Sequence, residues 1–260
     1  MSDASDILLA EEAAPHVRLL RLNRPEKRNA LATDLLRRVA EALDAAREDS
    51  EVRAVVLTGT DRFFAAGADI NEIASRGANG ALADPRPAIW ARIRGFAKPM
   101  IAAVEGWSLG AGNELVMCCD LVVAGHGAKF GQPETNLGII PGAGGTAVLP
   151  RIVGRSDAMK MVLLGTSLSA TEAKCSGLVA EVVEDGKACE TAIDLAARIA
   201  TRAPLAMQQG KAMVRAAFEM HQTAHLALER QAFSALFGTA DKREGIAAFF
   251  EKRDPQWSGT

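Results

Sequence analysis

The sequence predicts an α/β protein with parallel strands in its core and a helical C-terminal part. In the first half, short apolar segments alternate with amphipathic helices in a βαβ rhythm, which is typical of parallel pairing. From about residue 151 onward the pattern becomes almost wholly helical. The 260 residues are enough to bury a substantial core, and no linker, low-complexity tract or repeat separates an independent domain.

The first half is expected to begin with a strand at 16–22 and a helix from about 34 to 48. In this helix Leu35, Val39 and Leu43 share one apolar stripe, and Thr33 is a plausible N-cap. The segments expected next are a strand at 52–58, a helix at 88–96, a strand at 100–104, a helix containing Glu114 and a strand at 121–124.

The C-terminal part is expected to contain several amphipathic helices and one strand at 178–183. Their apolar faces need a covering surface, so we expect a lid or a subunit interface. We divide the chain into a core at 1–200 and a helical region at 201–260 that is expected to serve oligomerisation and to form an active-site lid. The helices are expected at 157–164, 170–176, 186–202, 204–218, 223–237 and 241–252.

Composition argues against a general affinity for nucleic acid or anionic membranes. The chain is 48% hydrophobic and 24% charged, with a formal net charge of −2. The cysteines have no metal-ligand spacing, so we expect reduced thiols and no metal site. The acidic N-terminus is unlike a secretory signal, and apolar runs are too short to span a membrane. We therefore expect a cytoplasmic protein without membrane or nucleic-acid partners.

Two glutamates lie in unusual surroundings. Glu114 is followed by an almost continuous apolar segment, where an isolated carboxylate would be costly without a partner or a raised pKa. Glu134 follows Pro133 in a loop-like stretch. Two acids whose pKa values are pushed apart can act as acid and base, although a structural ion pair at Glu114 stays an alternative.

Small residues near these acids can expose backbone N–H groups to a ligand. The segments 63–70 and 110–112 are both rich in glycine and alanine, and two donors converging on one oxygen would form an oxyanion hole. Either segment alone is also compatible with a packed turn. The G-x-G-x-x-A pattern at 142–147 lacks the context of a dinucleotide site, so we expect a turn leading into a helix.

These motifs together resemble the enoyl-CoA hydratase/isomerase family, the crotonases. The resemblance implies a spiral of ββα turns with a helical C-terminal trimerisation region, assembled as a homotrimer or a dimer of trimers (a hexamer). It covers essentially the whole chain, with matching segments at 22–25, 29–31, 63–69, 110–115, 132–146 and 243–253.

The resemblance also implies roles for individual residues. The backbone N–H groups of Ala68 and Ala111 match the oxyanion hole for a thioester carbonyl, and Gly142 matches a backbone group that holds the reacting water. Glu114 and Glu134 match the two catalytic glutamates of hydratases. The substrate would be an acyl-CoA thioester with no separate cofactor; the implied coenzyme A or acyl contacts are Lys27, Arg28, Ala66, Asp69, Ile70, Phe233, Phe249 and Lys252.

The implied reaction is addition of water across the C2=C3 bond of a trans-2-enoyl-CoA. A Δ3,Δ2-enoyl-CoA isomerase is the nearest alternative, and an RNA-binding homologue is the non-enzymatic one. Segments 63–73, 85–92 and 241–253 are similar to hydratases that act on a dicarboxylic enoyl-CoA in phenylacetate breakdown. A dicarboxylic substrate would require a cation, for which Arg86, Arg92 and Arg94 are candidates.

The chain departs from the family pattern at three places. Ala111 replaces a more usual glycine, Asn113 replaces a cysteine or small residue, and Ala147-Val148 replaces a frequent Gln-Arg pair. None of these changes touches the two carboxylates.

Overall fold

The computed structural model describes residues 6–75, 77, 80 and 83–260, and it contains two β-sheets flanked by helices. The strands are β1 (Leu8–Ala14), β2 (Val17–Leu22), β3 (Ala54–Thr58), β4 (Phe63–Ala65), β5 (Met100–Val104), β6 (Trp107–Leu109), β7 (Leu121–Gly125), β8 (Lys129–Gly131), β9 (Ser167–Ser169) and β10 (Glu181–Val183). The α-helices are α1 (Thr33–Glu48), α2 (Ile70–Ala74), α3 (Arg86–Arg94), α4 (Ala111–Val116), α5 (Gly145–Leu164), α6 (Ala170–Cys175), α7 (Ala188–Ala200), α8 (Pro204–Ala216), α9 (Gln222–Leu236) and α10 (Ala240–Glu251).

Successive turns of the chain contribute strands to both sheets. The larger sheet has the order β1-β2-β3-β5-β7-β10, and only the β1–β2 pair is antiparallel. The smaller sheet has the order β4-β6-β8-β9, and only β8–β9 is antiparallel. Three times the chain passes from a strand of the larger sheet to one of the smaller sheet: β3 to β4, β5 to β6 and β7 to β8. This repetition confirms the expected spiral.

The central strands are buried on both faces because helices cover each side of the larger sheet. In β3, Val55 and Leu57 face the main core with α1 and α3, whereas Ala54 and Val56 face the second core. The second core is closed by α7, whose buried alanines recur every four residues at Ala188, Ala192, Ala196 and Ala200. Small side chains on this stripe allow the helix to lie close to the sheet.

Three local expectations are corrected. Thr33 is not the N-cap of α1: Ala32 occupies that position, and Thr33 donates its N–H and hydroxyl to Glu72, with Oγ1 at 2.6 Å from Oε2. No strand was expected before residue 16, but β1 lies there, and its buried residues do not alternate regularly. α5 begins at Gly145, not 157, and has a break at Gly154, whose φ is +78°.

The C-terminal helices α8, α9 and α10 follow the end of α7 at Ala200. Large apolar side chains on α9 and α10 are exposed in the single chain, among them Phe233, Phe249 and Phe250. Within the described ranges, no helix is long and apolar enough to cross a membrane.

Candidate active site

The candidate site lies where three neighbouring parallel strands of the smaller sheet end. β4, β6 and β8 run in the same direction, so the residues that follow them meet at one edge. The edge borders a cavity of about 240 Å³. The residues contributed by the three strand ends are Ala66, Gly67, Ala68, Gly110, Ala111, Glu114, Pro133 and Glu134.

Glu114 projects from α4 and is held by the turn that precedes α5. Its side chain is almost fully buried, and its Oε1 accepts hydrogen bonds from the N–H groups of Ala143 and Gly145, both at 2.7 Å. Burial raises the pKa of Glu114, while these two N–H groups and the Arg94 charge oppose the rise. Because two donors converge on a single oxygen, the site favours the ionised form of this carboxylate more than burial alone would allow.

Glu134 begins the 3₁₀ turn Glu134–Leu137 that follows β8. Burial, and to a smaller extent the negative charge of Glu114, raises the pKa of Glu134 to about 7. When the Gln132 amide is assigned so that its nitrogen faces the carboxylate, this nitrogen can donate to Glu134 Oε1 at 3.0 Å. A carboxyl group with this pKa is partly protonated at neutral pH and can therefore deliver a proton.

Gly110 permits the close approach of α4 to Glu134. Its φ is +50°, and a Cβ at this position would lie 2.8 Å from Glu134 Oε1. A glycine at this position therefore permits the positive φ and also leaves room for the Glu134 side chain. This approach also brings Ala111, the first residue of α4, to the cavity wall.

Ala68 and Ala111 present backbone N–H groups at the cavity. The Leu31 backbone bonds to the two neighbours of Ala68, with Leu31 N–H donating to Gly67 O at 2.8 Å and Leu31 O accepting from Asp69 N–H at 3.3 Å. In a parallel bridge this pairing directs the Ala68 N–H away from Leu31. Within the described part of the chain, neither Ala68 nor Ala111 donates its N–H to a protein acceptor. Both groups are therefore available for a ligand oxygen.

The residues expected to contact coenzyme A are only partly brought together. Ala66 and Ile70 line the cavity, but the Asp69 carboxylate instead caps α2 and pairs with Arg24 at 3.3 Å. Lys27 and Arg28 have exposed side chains, and the Arg28 carbonyl accepts from Ala66 N–H at 3.0 Å. The two basic residues consequently lie beside the strand end that opens into the cavity.

Three expected contacts lie elsewhere in the single chain. Phe233 on α9, Phe249 on α10 and Lys252 after α10 are exposed, and none of these three described residues lines the cavity. Among the described residues, no group of three histidine, cysteine or acidic side chains could hold a metal ion.

The turn at 141–145 contributes more than the single backbone group expected from Gly142. Gly142 lines the cavity, but the two N–H groups that hold Glu114 belong to Ala143 and Gly145. The sequence feature that indicated this turn was the glycine-rich segment before a helix. Sequence reasoning also missed Gln132, because the contact between its amide and Glu134 depends on how the turn folds back.

The three candidate arginines have different environments. Arg86 lines the cavity, with Nε at 2.7 Å from Asp84 Oδ2. Arg92 pairs with Asp44 on α1, with Nη2 at 2.5 Å from Oδ2. Arg94 donates from Nη1 to the carbonyl of Ala143 at 2.8 Å. Only the first of these three guanidinium groups lies at the cavity wall.

The sequence departures are accommodated without displacing the carboxylates. Asn113 is completely buried, and its amide has no hydrogen-bond partner among the described residues. Val148 packs beside Gly144, with Cγ2 3.5 Å from where a Cβ would lie. The structure provides no account of why a polar side chain is retained at position 113.

Residues 12–260 match the sequence model of the family described as enoyl-CoA hydratase/isomerase. The chain is 50% identical to the 2,3-dehydroadipyl-CoA hydratase of Escherichia coli (strain K12), covering 94% of this chain and 95% of that protein. It is 42% identical to a probable mitochondrial enoyl-CoA hydratase of Dictyostelium discoideum, covering 95% and 89%.

A similar solved structure is the enoyl-CoA hydratase from Bacillus anthracis. The two folds superpose with a TM-score of 0.93 at 35% identity, covering 98% of this chain and 100% of that one. The similarities confirm the resemblance inferred from the motifs and the expectation of an enzyme of the enoyl-CoA hydratase kind. The chain belongs to the enoyl-CoA hydratase/isomerase family.

Proposed function

We propose that the cavity binds a trans-2-enoyl-CoA and adds water across its C2=C3 bond. The N–H groups of Ala68 and Ala111 receive the thioester oxygen and stabilise the charge that develops there. This polarisation makes C3 electrophilic. The reaction then requires one base for water and one acid for C2, and no separate cofactor.

The two glutamates divide these proton transfers. Glu114 accepts a proton from water while the water oxygen bonds to C3, and Glu134 transfers its proton to C2 of the enolate-like species. The products are a 3-hydroxyacyl-CoA, a protonated Glu114 and an ionised Glu134. Proton exchange with solvent restores both side chains. The Gly142 backbone borders the same space and is our candidate for holding the water.

The observation that carries this proposal is the contrast between two carboxyl groups on one cavity. The Glu114 carboxylate accepts two backbone hydrogen bonds, whereas the pKa of Glu134 is raised to about 7 by burial. We expect Glu114→Gln and Glu134→Gln each to lower kcat for crotonyl-CoA by about 10²–10⁴-fold. Glu105→Gln is a matched control, because Glu105 is a buried carboxylate that bonds Gly186 and Ala188 N–H groups instead.

Full turnover in both active-site variants would refute the proposal. Product analysis with a 3-enoyl-CoA distinguishes the isomerase alternative, since an isomerase needs one carboxylate to move an allylic proton. Isomerisation without hydration would favour that alternative.

The substrate that we propose is 2,3-dehydroadipyl-CoA, supported by the similarity to the E. coli hydratase and by Arg86. The Arg86 Nε and Nη2 groups hold Asp84, and Nη1 is in neither of these contacts. A guanidinium fixed by a carboxylate is pre-organised to donate hydrogen bonds to a second carboxylate. A place in phenylacetate breakdown would follow, and it stays a prediction.

The test compares kcat/KM for 2,3-dehydroadipyl-CoA and crotonyl-CoA. Arg86→Met should lower the first value by about tenfold or more and leave the second within about twofold, since one hydrogen bond to a charged group contributes about 1.5–3 kcal/mol. Arg86→Lys should be intermediate. Arg92→Met is the control, because Arg92 pairs with Asp44. Equal losses for both substrates, or a wild-type preference for crotonyl-CoA, would contradict the assignment.

We further propose that subunits assemble as a homotrimer or a dimer of trimers through the C-terminal helices. Exposed aromatic side chains on α9 and α10 support an interface there. Phe233, Phe249 and Lys252 could then contact coenzyme A or the acyl chain of a neighbouring subunit, while Lys27, Arg28 and Asp69 remain candidates within the chain. The four free cysteines are consistent with the cytoplasmic location that we propose.

A further inference from the structure

Arg94 and Glu114 hold the same residue, Ala143, from its two ends. The Ala143 N–H donates to Glu114 Oε1 at 2.7 Å, and its carbonyl accepts from Arg94 Nη1 at 2.8 Å. The next residue, Gly144, has a φ of +116°, and Arg94 Nη1 lies 3.8 Å from where its Cβ would be. The guanidinium therefore packs along the turn whose N–H groups orient the carboxylate.

Arg94 is itself anchored by the C-terminal region. Arg215 on α8 donates from Nη1 to the Arg94 carbonyl at 2.7 Å and from Nη2 to the Cys118 carbonyl at 2.7 Å. Cys118 lies just beyond α4, and its Sγ is 3.4 Å from the Glu114 carbonyl. One arginine of α8 thus links the end of α3 to the segment that carries the base.

Several described ionisable groups interact with Glu114. Arg94 approaches from α3, Glu134 from the 3₁₀ turn after β8, and Cys118 from beyond α4. Burial raises the pKa of the Cys118 thiol to about 12, which leaves it neutral, and Lys211 and Arg215 of α8 lie behind it. Arg86 and Asp84, which form an ion pair, line the same cavity.

We propose that Arg94 is a positioning residue for hydration: it fixes the 143–145 turn and, through it, the carboxylate of Glu114. This inference rests on the proposed role of Glu114 as the base. Arg94 also supplies a positive charge that lowers the pKa of Glu114 against the effect of burial. Loss of Arg94 should therefore both misplace the base and move its titration to higher pH.

The test measures kcat, KM and the pH dependence of kcat/KM for Arg94→Met, Arg94→Gln and Arg94→Lys. Arg94→Met should lower kcat by about 10–100-fold with KM within about threefold, because small misplacements of a catalytic group have effects of this size. The ascending limb of the pH profile of kcat/KM for this variant should move to higher pH. Arg94→Lys should recover part of kcat and keep the wild-type limb, whereas Arg94→Gln should show the displaced limb.

Arg92→Met is the matched control, since Arg92 lies two residues earlier on α3 and pairs with Asp44. The inference would be overturned if Arg94→Met had the same kcat as the control and the same ascending limb in its pH profile of kcat/KM. If Arg94→Met fails to fold by circular dichroism, identical limbs in Arg94→Lys and Arg94→Gln would overturn it instead. The Glu114→Gln variant separates the two claims. If Glu114→Gln is active, the proposed role of Glu114 as the base is wrong. If Glu114→Gln is inactive and Arg94→Met behaves like the wild type, only the proposed role of Arg94 is wrong.

Discussion

The two glutamates differ because the backbone near them differs. Glu114 faces the start of a helix, where the N–H groups of Ala143 and Gly145 have no earlier carbonyl to bind and converge on the carboxylate instead. Glu134 faces the side-chain amide of Gln132 and the negative charge of Glu114. These different surroundings support the opposite proton transfers that we propose for the two residues.

The raised pKa of Glu134 has a consequence for stability. Its pKa is about 7 in the folded chain, against an ordinary value of 4.5, so the folded state binds the proton more tightly. The stability associated with this proton is fully present below about pH 4.5 and is lost as the pH rises through 7. Glu134→Gln should therefore be more stable than the wild type at pH 8, by roughly 1–3 kcal/mol after allowance for partial exposure, with little difference near pH 4.5. Urea unfolding at several pH values measures this, and a pH-independent difference would contradict it.

At this scale the sequence pointed to those residues of the candidate cavity whose types are unusual in their local sequence. Glu114 and Glu134 are conspicuous as acids in apolar or glycine-rich sequence, and Ala68 and Ala111 follow from small-residue segments matching the family. Arg94 was one of three candidate cations for the substrate, whereas it binds a backbone carbonyl 49 positions away along the chain. Such a contact depends on how α3 meets the turn before α5, which no local pattern contains.

Among the elements, α4 is placed by a very close contact with the smaller sheet. A Cβ on Gly112 would overlap the carbonyl oxygen of Ala65 in β4. Gly112→Ala must therefore push α4 away from the strand that leads to Ala68, and overpacking of this kind costs about 1–3 kcal/mol. We expect a lower melting temperature together with a kcat reduced by about tenfold or more, because the two oxyanion donors would move apart.

Gly210→Ala is a suitable control for this substitution. Gly210 is a glycine of α8 with open space where a Cβ would be added. Replacement there should maintain activity and leave stability unchanged or slightly increased, since alanine has the higher helix propensity. A Gly112→Ala variant that behaved like Gly210→Ala would show that α4 can relax without disturbing the site.

Helix α8 is attached to the core by an ion pair whose two partners should differ in how much stability is lost when each is removed. Lys211 Nζ is almost buried, at 2.7 Å from Asp120 Oδ2, and burial lowers its pKa while Asp120 raises it. Asp120→Ala would leave this ammonium buried without its partner, at a cost of about 3 kcal/mol. Lys211→Met should cost less than about 1 kcal/mol, because Asp120 keeps its bond to Arg215 and the methionine can pack on Phe96. Urea unfolding of both variants tests the asymmetry; equal losses would contradict it.

The elements that the sequence predicted best are those with long periodic patterns. α1 and the helices α8, α9 and α10 lie within a few residues of the expected ranges, since each is long enough to repeat its apolar pattern over several turns. β4, β6 and β8 have only three residues each and offer too little alternation to detect. They nevertheless assemble the site, because their parallel ends meet at one edge.

On the scale of the whole molecule, the single chain leaves a large apolar surface uncovered on its C-terminal helices. Phe249 and Phe250 are 78% and 76% exposed, and their rings contact each other at 5.8 Å between centroids. Phe233 on α9 and Phe237, which directly follows that helix, form a second edge-to-face pair. Clusters of aromatic side chains that are exposed in a single chain are typical of association surfaces.

We therefore expect Phe249→Asp/Phe250→Asp to shift the protein from an oligomer toward a monomer. Burying two carboxylates in an apolar contact is unfavourable by several kcal/mol per subunit, which is sufficient to raise a dissociation constant by about a thousandfold or more. Sedimentation velocity across a range of protein concentrations measures the change. Leu164→Asp is the comparison, because Leu164 is also apolar and 68% exposed but ends α5 outside the C-terminal helices. A monomeric wild type, or equal dissociation in both variants, would show that α10 is not the contact on which assembly depends.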